Sequence, residues 1–184
     1  MQTRKASTLI ELIVVLSVLI ALGGVVLPLY SDTLYSATET VTQATLAEAS
    51  KAMQQYWSDT KLVPLNGITT AATEAQRFEI AWLFASPITN DRTRQFDPNS
   101  RTGWNGPYFL TSTADAVELG GPNLIDGWNR PLTVQYVNPS ESLKDVRIVS
   151  AGANGVIDIP ANTATSDLTS NSLGDDLYVA ILLR

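Results

Sequence analysis

The chain opens with a block in which polar positions are almost missing. Residues 5–12 read KASTLIEL, and from Leu12 to Tyr30 no residue carries a charge. At 1.5 Å per residue a helix over 12–30 is about 28 Å long, close to the roughly 30 Å hydrocarbon core of a bilayer, so one membrane-spanning helix is predicted. Past Pro28 the pattern turns one-sided. Tyr30, Leu34, Ala37 and Val41, then Ala49, Met53 and Tyr56, recur at steps of three and four, with Glu39, Gln43, Glu48, Lys51 and Gln55 between them. The helix is therefore expected to continue as an amphipathic stem to about Trp57. Pro28 lacks an amide hydrogen and crowds the preceding turn, and Gly23-Gly24 weakens helix just before it, so a bend or local melt is expected there.

Beyond the stem the periods shorten. Residues 59–65 carry turn chemistry, and a second helix is predicted over 73–85 with Phe78, Ala81, Trp82 and Ala85 on one face. Residues 90–106 are polar and turn-rich and read as an exposed loop. Strands are predicted at 108–111, 132–137, 146–150 and 178–183, between Gly, Pro, Asn and Asp turns. The polar run 161–172 reads as a loop or a locally disordered insertion. The fold class expected is α+β: a long N-terminal helix, half in the membrane, packed through its second half on a small antiparallel sheet with a C-terminal loop region.

Glu11 is the one charge inside the apolar run. An acidic side chain within a bilayer costs roughly 2.5 to 3.5 kcal/mol on insertion scales, so it calls for a partner. Two readings of Glu11 stay open on the residues alone: a paired functional group, or a side chain that snorkels to the headgroups. Arg4 and Lys5 precede the run while Asp32 and Glu39 follow it, which by the positive-inside bias keeps the N-terminus cytoplasmic and exports the remainder. A secretory signal peptide also has a basic start and an apolar core. It would not carry a Glu near the start of that core, and Pro28, Leu29 and Tyr30 make a poor cleavage site.

Composition narrows the chemistry. With no Cys and no His, disulfides, thiol redox chemistry, His-based nucleophilic triads and the commonest zinc sites are excluded. An exported domain without disulfides is held by its core, by assembly or by a hard metal ion. The net charge of −6 argues against nucleic acid as a partner. Trp104, Trp128, Tyr108 and Tyr136 could form a carbohydrate-binding face, but aromatics beside Gly and Pro in a β-rich half read first as core and turn packing. No carboxylate pair stands out for acid–base work, so an enzyme is not expected.

The stretch around Ser7 to Glu11, the apolar helix after it and Pro28 near its end together resemble the class III signal of type IV pilins and pseudopilins. The resemblance implies cleavage between Ala6 and Ser7 by a prepilin peptidase, N-methylation of Ser7, and Glu11 as the fifth mature residue. The family usually has Gly before the cut and Phe after it, where this chain has Ala6 and Ser7. Segments then follow as 1–6 leader, 7–30 transmembrane and assembly helix, 31–58 helical stem and 59–184 exported α/β domain. The new amine of Ser7 on one subunit would meet Glu11 of its neighbour, and the attraction would set axial register.

Two further stretches resemble the major pseudopilin of type II secretion systems. One is Gly106-Pro107-Tyr108 with Asp126-Gly127-Trp128-Asn129-Arg130-Pro131-Leu132. The other runs from Ile148 through Ser150 to Asn154-Gly155, with Asp175-Asp176 further on, and is similar to a calcium loop. The resemblance implies Ca²⁺ held by Ser150, Asn154, Asp175, Asp176 and nearby carbonyls. An Asp often stands in the family where this chain has Asn154, and Asp158 or Asp167 could supply the missing charge. Against this stands the plainer reading of Asn154-Gly155 as a turn and the paired acids as solvated residues before the last strand. The function implied is a homopolymeric periplasmic filament, with other pseudopilins or minor pilins, an inner-membrane assembly platform and a prepilin peptidase as partners. The alternatives are a type IV pilin of an extracellular pilus, used in adhesion, motility or DNA uptake, and a signal-anchored domain that never polymerises.

Overall fold

In the computed structural model the described residues are 8–60, 80–85, 96–109, 123–137 and 145–181. The element that dominates them is one helix, α1 (Leu9–Thr60). Thr8 starts it: the Glu11 amide donates to the Thr8 carbonyl at 3.1 Å and lies 3.4 Å from its hydroxyl, which caps the first turn. The helix continues without a break through Gly23, Gly24 and Pro28, so the local melt expected at Pro28 does not occur. Hydroxyls along α1 are satisfied within it, with Ser17 donating to the Ile13 carbonyl at 2.7 Å and Thr33 to that of Leu29 at 2.8 Å. Backbone bonding that needs no outside partner is the condition for a helix in lipid.

The chain divides into two units, Met1–Thr38 and Glu39–Arg184. In the first, Leu12, Leu16, Leu19 and Leu27 are all exposed, and α1 is long and apolar enough there to cross a membrane. In the second, α1 buries a stripe of Thr42, Leu46, Ala49, Met53, Tyr56, Trp57 and Thr60. The steps of three and four put these on one face, where they join a core with Leu83, Phe109, Leu124, Leu132, Val146, Ile148 and Ile181. The stem pattern is thus realised from Thr42 onward. Tyr30, Leu34, Ala37 and Val41, expected on the same stripe, are exposed.

Three strands form the sheet: β1 (Thr133–Tyr136), β2 (Val146–Ser150) and β3 (Leu177–Ile181). Both pairings are antiparallel, with β2 in the centre. One face, carrying Val134, Tyr136, Val146, Ile148, Leu177, Val179 and Ile181, packs into the core shared with α1. Yet all five residues of β2 are buried, so its second face is covered too. The strands expected at 132–137, 146–150 and 178–183 are found, the last described to Ile181. Tyr108 and Phe109 are not in a strand, because their amides both go to the Leu83 carbonyl, at 2.8 and 3.1 Å. Of the helix expected at 73–85, the described part is a 3₁₀ turn (Ile80–Leu83) that buries Leu83; residues 73–79 lie outside the described residues.

The aromatics serve this core. The Trp104 indole donates to the Trp82 carbonyl at 2.6 Å, and Tyr108 meets both Tyr56 and Trp104 edge to face, with centroids 5.7 and 5.8 Å apart. The Tyr108 hydroxyl accepts from the Asn105 amide at 2.8 Å. Burial is the main cause that pushes this phenol from 10.0 up to about 12; the Asn105 bond opposes it and nearby Asp59 adds to it. The folded chain therefore keeps a proton that the unfolded chain loses first, so Tyr108 contributes stability that is complete below pH 10.0 and lost as pH rises through about 12. Thermal melts from pH 9 to 12 are expected to fall less steeply for Tyr108→Phe than for the parent chain. Equal slopes would remove Tyr108 as the cause.

Candidate metal centre

The site begins with a turn docked on α1. Asp126, buried in the core side of the loop before β1, accepts through Oδ1 from the amides of Trp128 and Arg130, both at 2.9 Å. Its Oδ2 accepts from the Ser150 hydroxyl at 2.6 Å. The Gly127 amide donates to the Thr42 hydroxyl at 2.9 Å, tying the turn to the helix. From this turn Arg130 reaches across and donates to the Gly152 carbonyl. Residues 126–130 thus hold the loop that follows β2.

That loop carries the acids. Asp158, Asp175 and Asp176 each offer a carboxylate oxygen, all within 4.8 Å of one another. Gly152 and Gly174 let the backbone close on them, with positive φ of 55° and 57°. A Cβ at Gly152 would overlap the Asp175 carbonyl, and one at Gly174 the Asp158 carboxylate. Asp176 is 6 % exposed. Its Oδ2 accepts from the amides of Asp158 and Ile159 at 2.7 and 2.8 Å. Its Oδ1, like Asp175 Oδ1, is buried with no hydrogen-bond partner. Burial pushes the Asp176 carboxyl up, the two amide bonds pull it down, and the carboxylates of Asp158 and Asp175 push it up further. A raised carboxyl is one whose charge the fold penalises, so its contribution to stability falls as pH rises through its range unless a cation is present.

This donor set fits a hard cation. Three carboxylates and two vacant buried oxygens are what Ca²⁺ draws on, with backbone carbonyls and water completing six to eight ligands. The residues named from sequence divide. Asp175 and Asp176 belong to the cluster. Asn154 stands beside it as a donor: its amide donates to Asp175 Oδ2 at 2.7 Å and its Nδ2 lies 3.3 Å from Asp158 Oδ2. Its Oδ1 is taken by the Val156 amide at 2.6 Å. Ser150 gives its hydroxyl to Asp126 and supports the loop from below. Asp158 rather than Asp167 supplies the third charge.

At the other end of the chain Glu11 sits exposed in the first turn of α1. Ala6 and Ser7 lie outside the described residues. Asp126 and Arg130, which build the support, are visible in the sequence only as part of a motif, and Thr42, a polar residue on the stem, gives no signal of its own. No family model, curated protein or solved structure matches the chain.

Calcium at about 100 times its dissociation constant would add about 2.7 kcal/mol of stability to the folded chain. A melting temperature raised by several degrees with Ca²⁺ and restored by chelator is the expected result, with the response lost in Asp175→Asn. A melt indifferent to both calcium and chelator would remove the site.

Proposed function

We propose that this protein is a filament subunit of the type IV pilin-like class, nearest the major pseudopilin of type II secretion. The observation that carries the reading is α1 itself: one unbroken helix whose first part is apolar on every side with Glu11 in its first turn, and whose last part is the core of a small α+β domain. An apolar helix exposed all round needs lipid or other helices, and a bundle of identical helices supplies both in turn. The subunit waits in the inner membrane with its N-terminus cytoplasmic and its domain periplasmic. A prepilin peptidase cuts at Ala6-Ser7, and the assembly platform adds the subunit to the filament. Pro28 and Gly23-Gly24 provide the place where the helix can yield on leaving the membrane. The filament helps folded proteins leave the periplasm; Ca²⁺ at Asp158, Asp175 and Asp176 steadies the domain, and the chain itself catalyses nothing.

Intact mass and N-terminal peptide mapping of the protein purified from its own host membranes test this directly. A chain beginning at N-methylated Ser7 is expected. A chain still carrying residues 1–6 would leave a plain membrane anchor. Deletion of the gene then separates the two filament types: loss of secreted proteins is expected, whereas loss of surface pili with secretion intact would mark an extracellular pilus.

A further inference from the structure

The run 161–172, expected as a loop or a locally disordered insertion, belongs to an ordered strap, residues 156–174, that covers the second face of the sheet. The strap holds a 3₁₀ turn (Thr165–Asp167) and one helical turn (Ser170–Leu173). Its anchor is Arg147, which is fully buried in the middle of β2. All three guanidinium nitrogens are used. Nε donates to Gln135 Oε1 at 2.8 Å across the β1–β2 pair, and Nη2 to the Pro160 carbonyl at 2.7 Å. Nη1 donates to the Thr163 carbonyl at 2.9 Å and to the Thr165 hydroxyl at 3.2 Å. Asp145, just before β2, accepts from the Thr165 amide at 2.8 Å and from its hydroxyl at 2.5 Å. Gln135 in turn donates to the Ile159 carbonyl at 3.1 Å, and Ile159 is buried beneath the strap.

All of these bonds reach residues 159–165. Residues 166–174 are held differently, because among the described residues their hydrogen bonds stay local. Ser166 bonds to Asp167 at 2.9 Å, the Thr169 amide donates to the Ser172 hydroxyl at 2.9 Å, and the Ser172 amide donates back to the Thr169 carbonyl at 2.9 Å. None of 166–174 is buried. We infer that the strap is two units divided at Thr165: a clasp, 159–165, locked to the sheet from within by Arg147, and an outer flap, 166–174, that opens by itself while the clasp stays shut. Lifting the clasp would strand a buried guanidinium and a buried amide side chain without their partners, the costliest kind of hydrogen-bond loss. Opening the flap exchanges exposed bonds for bonds to water, so it belongs to the low-energy local openings of a fold. Gly174, with a positive φ of 57°, ends the flap at a residue free to change conformation. Arg147, Gln135 and Asp145 all lie outside the carboxylate cluster, so the clasp holds with or without a cation there. Opening of the flap reshapes the polar outer surface of the domain without uncovering Val149 and Ile159, both buried under the clasped half.

Hydrogen exchange of the full chain in detergent with chelator present, read by peptide mass analysis, tests the division. Protection is expected to be at least tenfold greater over 159–165, where the amides of Ile159, Thr163 and Thr165 are bonded, than over 166–174. Arg147→Lys keeps the charge but loses the planar fork, and Asp145→Ala removes the acceptor for Thr165. In either variant, protection over 159–165 should fall at least tenfold, to the level of the flap, while peptides covering 42–60 change less than twofold. Equal protection of the two segments in the parent chain would overturn the division, and that comparison needs no variant to fold. Protection over 159–165 that appeared only when Ca²⁺ replaced the chelator, or that stayed unchanged in both variants, would overturn the role of Arg147 as the clasp.

Discussion

Replacing Glu11 with Ala is expected to stop filament assembly while leaving the subunit in the membrane and its domain folded. Removing the carboxylate relieves the membrane helix of roughly 3 kcal/mol of insertion cost, so the variant should insert at least as well as the parent chain. What it loses is the only charge between Leu9 and Tyr30, and with it the group that, on the proposed reading, would fix one helix axially against the next. Apolar ridges alone allow several registers of similar energy, because leucine packs as well against lipid as against another helix. Filaments recovered by shearing or sedimentation should fall at least tenfold. Glu11→Gln separates charge from shape, since it keeps the length and a hydrogen-bonding end. Normal assembly of the Gln variant would sink the pairing of Glu11 with a neighbour's Ser7 amine. The absence of native Cys makes the measurement clean, because single cysteines placed along α1 would report subunit register by crosslinking without background.

The second large effect is expected at Arg147. Truncation to Ala leaves Gln135 Oε1 and the carbonyls of Pro160 and Thr163 without their donor and opens a hole behind β2. Each buried acceptor left without its donor costs about 1 to 3 kcal/mol, so the three together amount to a large share of the roughly 5 to 15 kcal/mol that holds a typical domain. Burial pulls the guanidinium below its usual range, and Asp145 and then Tyr178 oppose this. Arg147→Lys keeps the charge but lacks the planar fork, so it should recover only part of the loss. Urea unfolding of the full chain in detergent, compared at constant slope, reads both variants. A loss under 1 kcal/mol for the Ala variant would show that the strap is held by other contacts.

Arg147 also shows where sequence reading stops. A lone arginine inside Val-Arg-Ile-Val is a signal, because a charge at the centre of an apolar strand needs partners, yet nothing in the order of residues says which. Its partners come from Gln135 on the neighbouring strand and from carbonyls at 160 and 163, and backbone carbonyls have no sequence signature. The same limit explains Ser150. The resemblance implies Ser150 as a cation ligand, but the fold brings Asp126 to it first. Asp158 looked like a substitute charge and stands inside the cluster.

The amino-acid sequence by itself determined what depends on neighbours along the chain. The apolar run, the helical period of Ala49, Met53 and Tyr56, and the strands around β1, β2 and β3 are local patterns that a 3.6 or 2 residue period reveals. Tertiary structure decided what depends on neighbours in space. It selected Thr42 to Thr60 over Tyr30 to Val41 as the buried stretch of the stem, because among the described residues the core packs on Leu46 to Trp57. It turned residues 156–174 into a covering layer and brought Asp158 to Asp175 and Asp176. Those outcomes follow from desolvation: a buried charge or amide is stable only with its partner in reach, and reach is set by the fold.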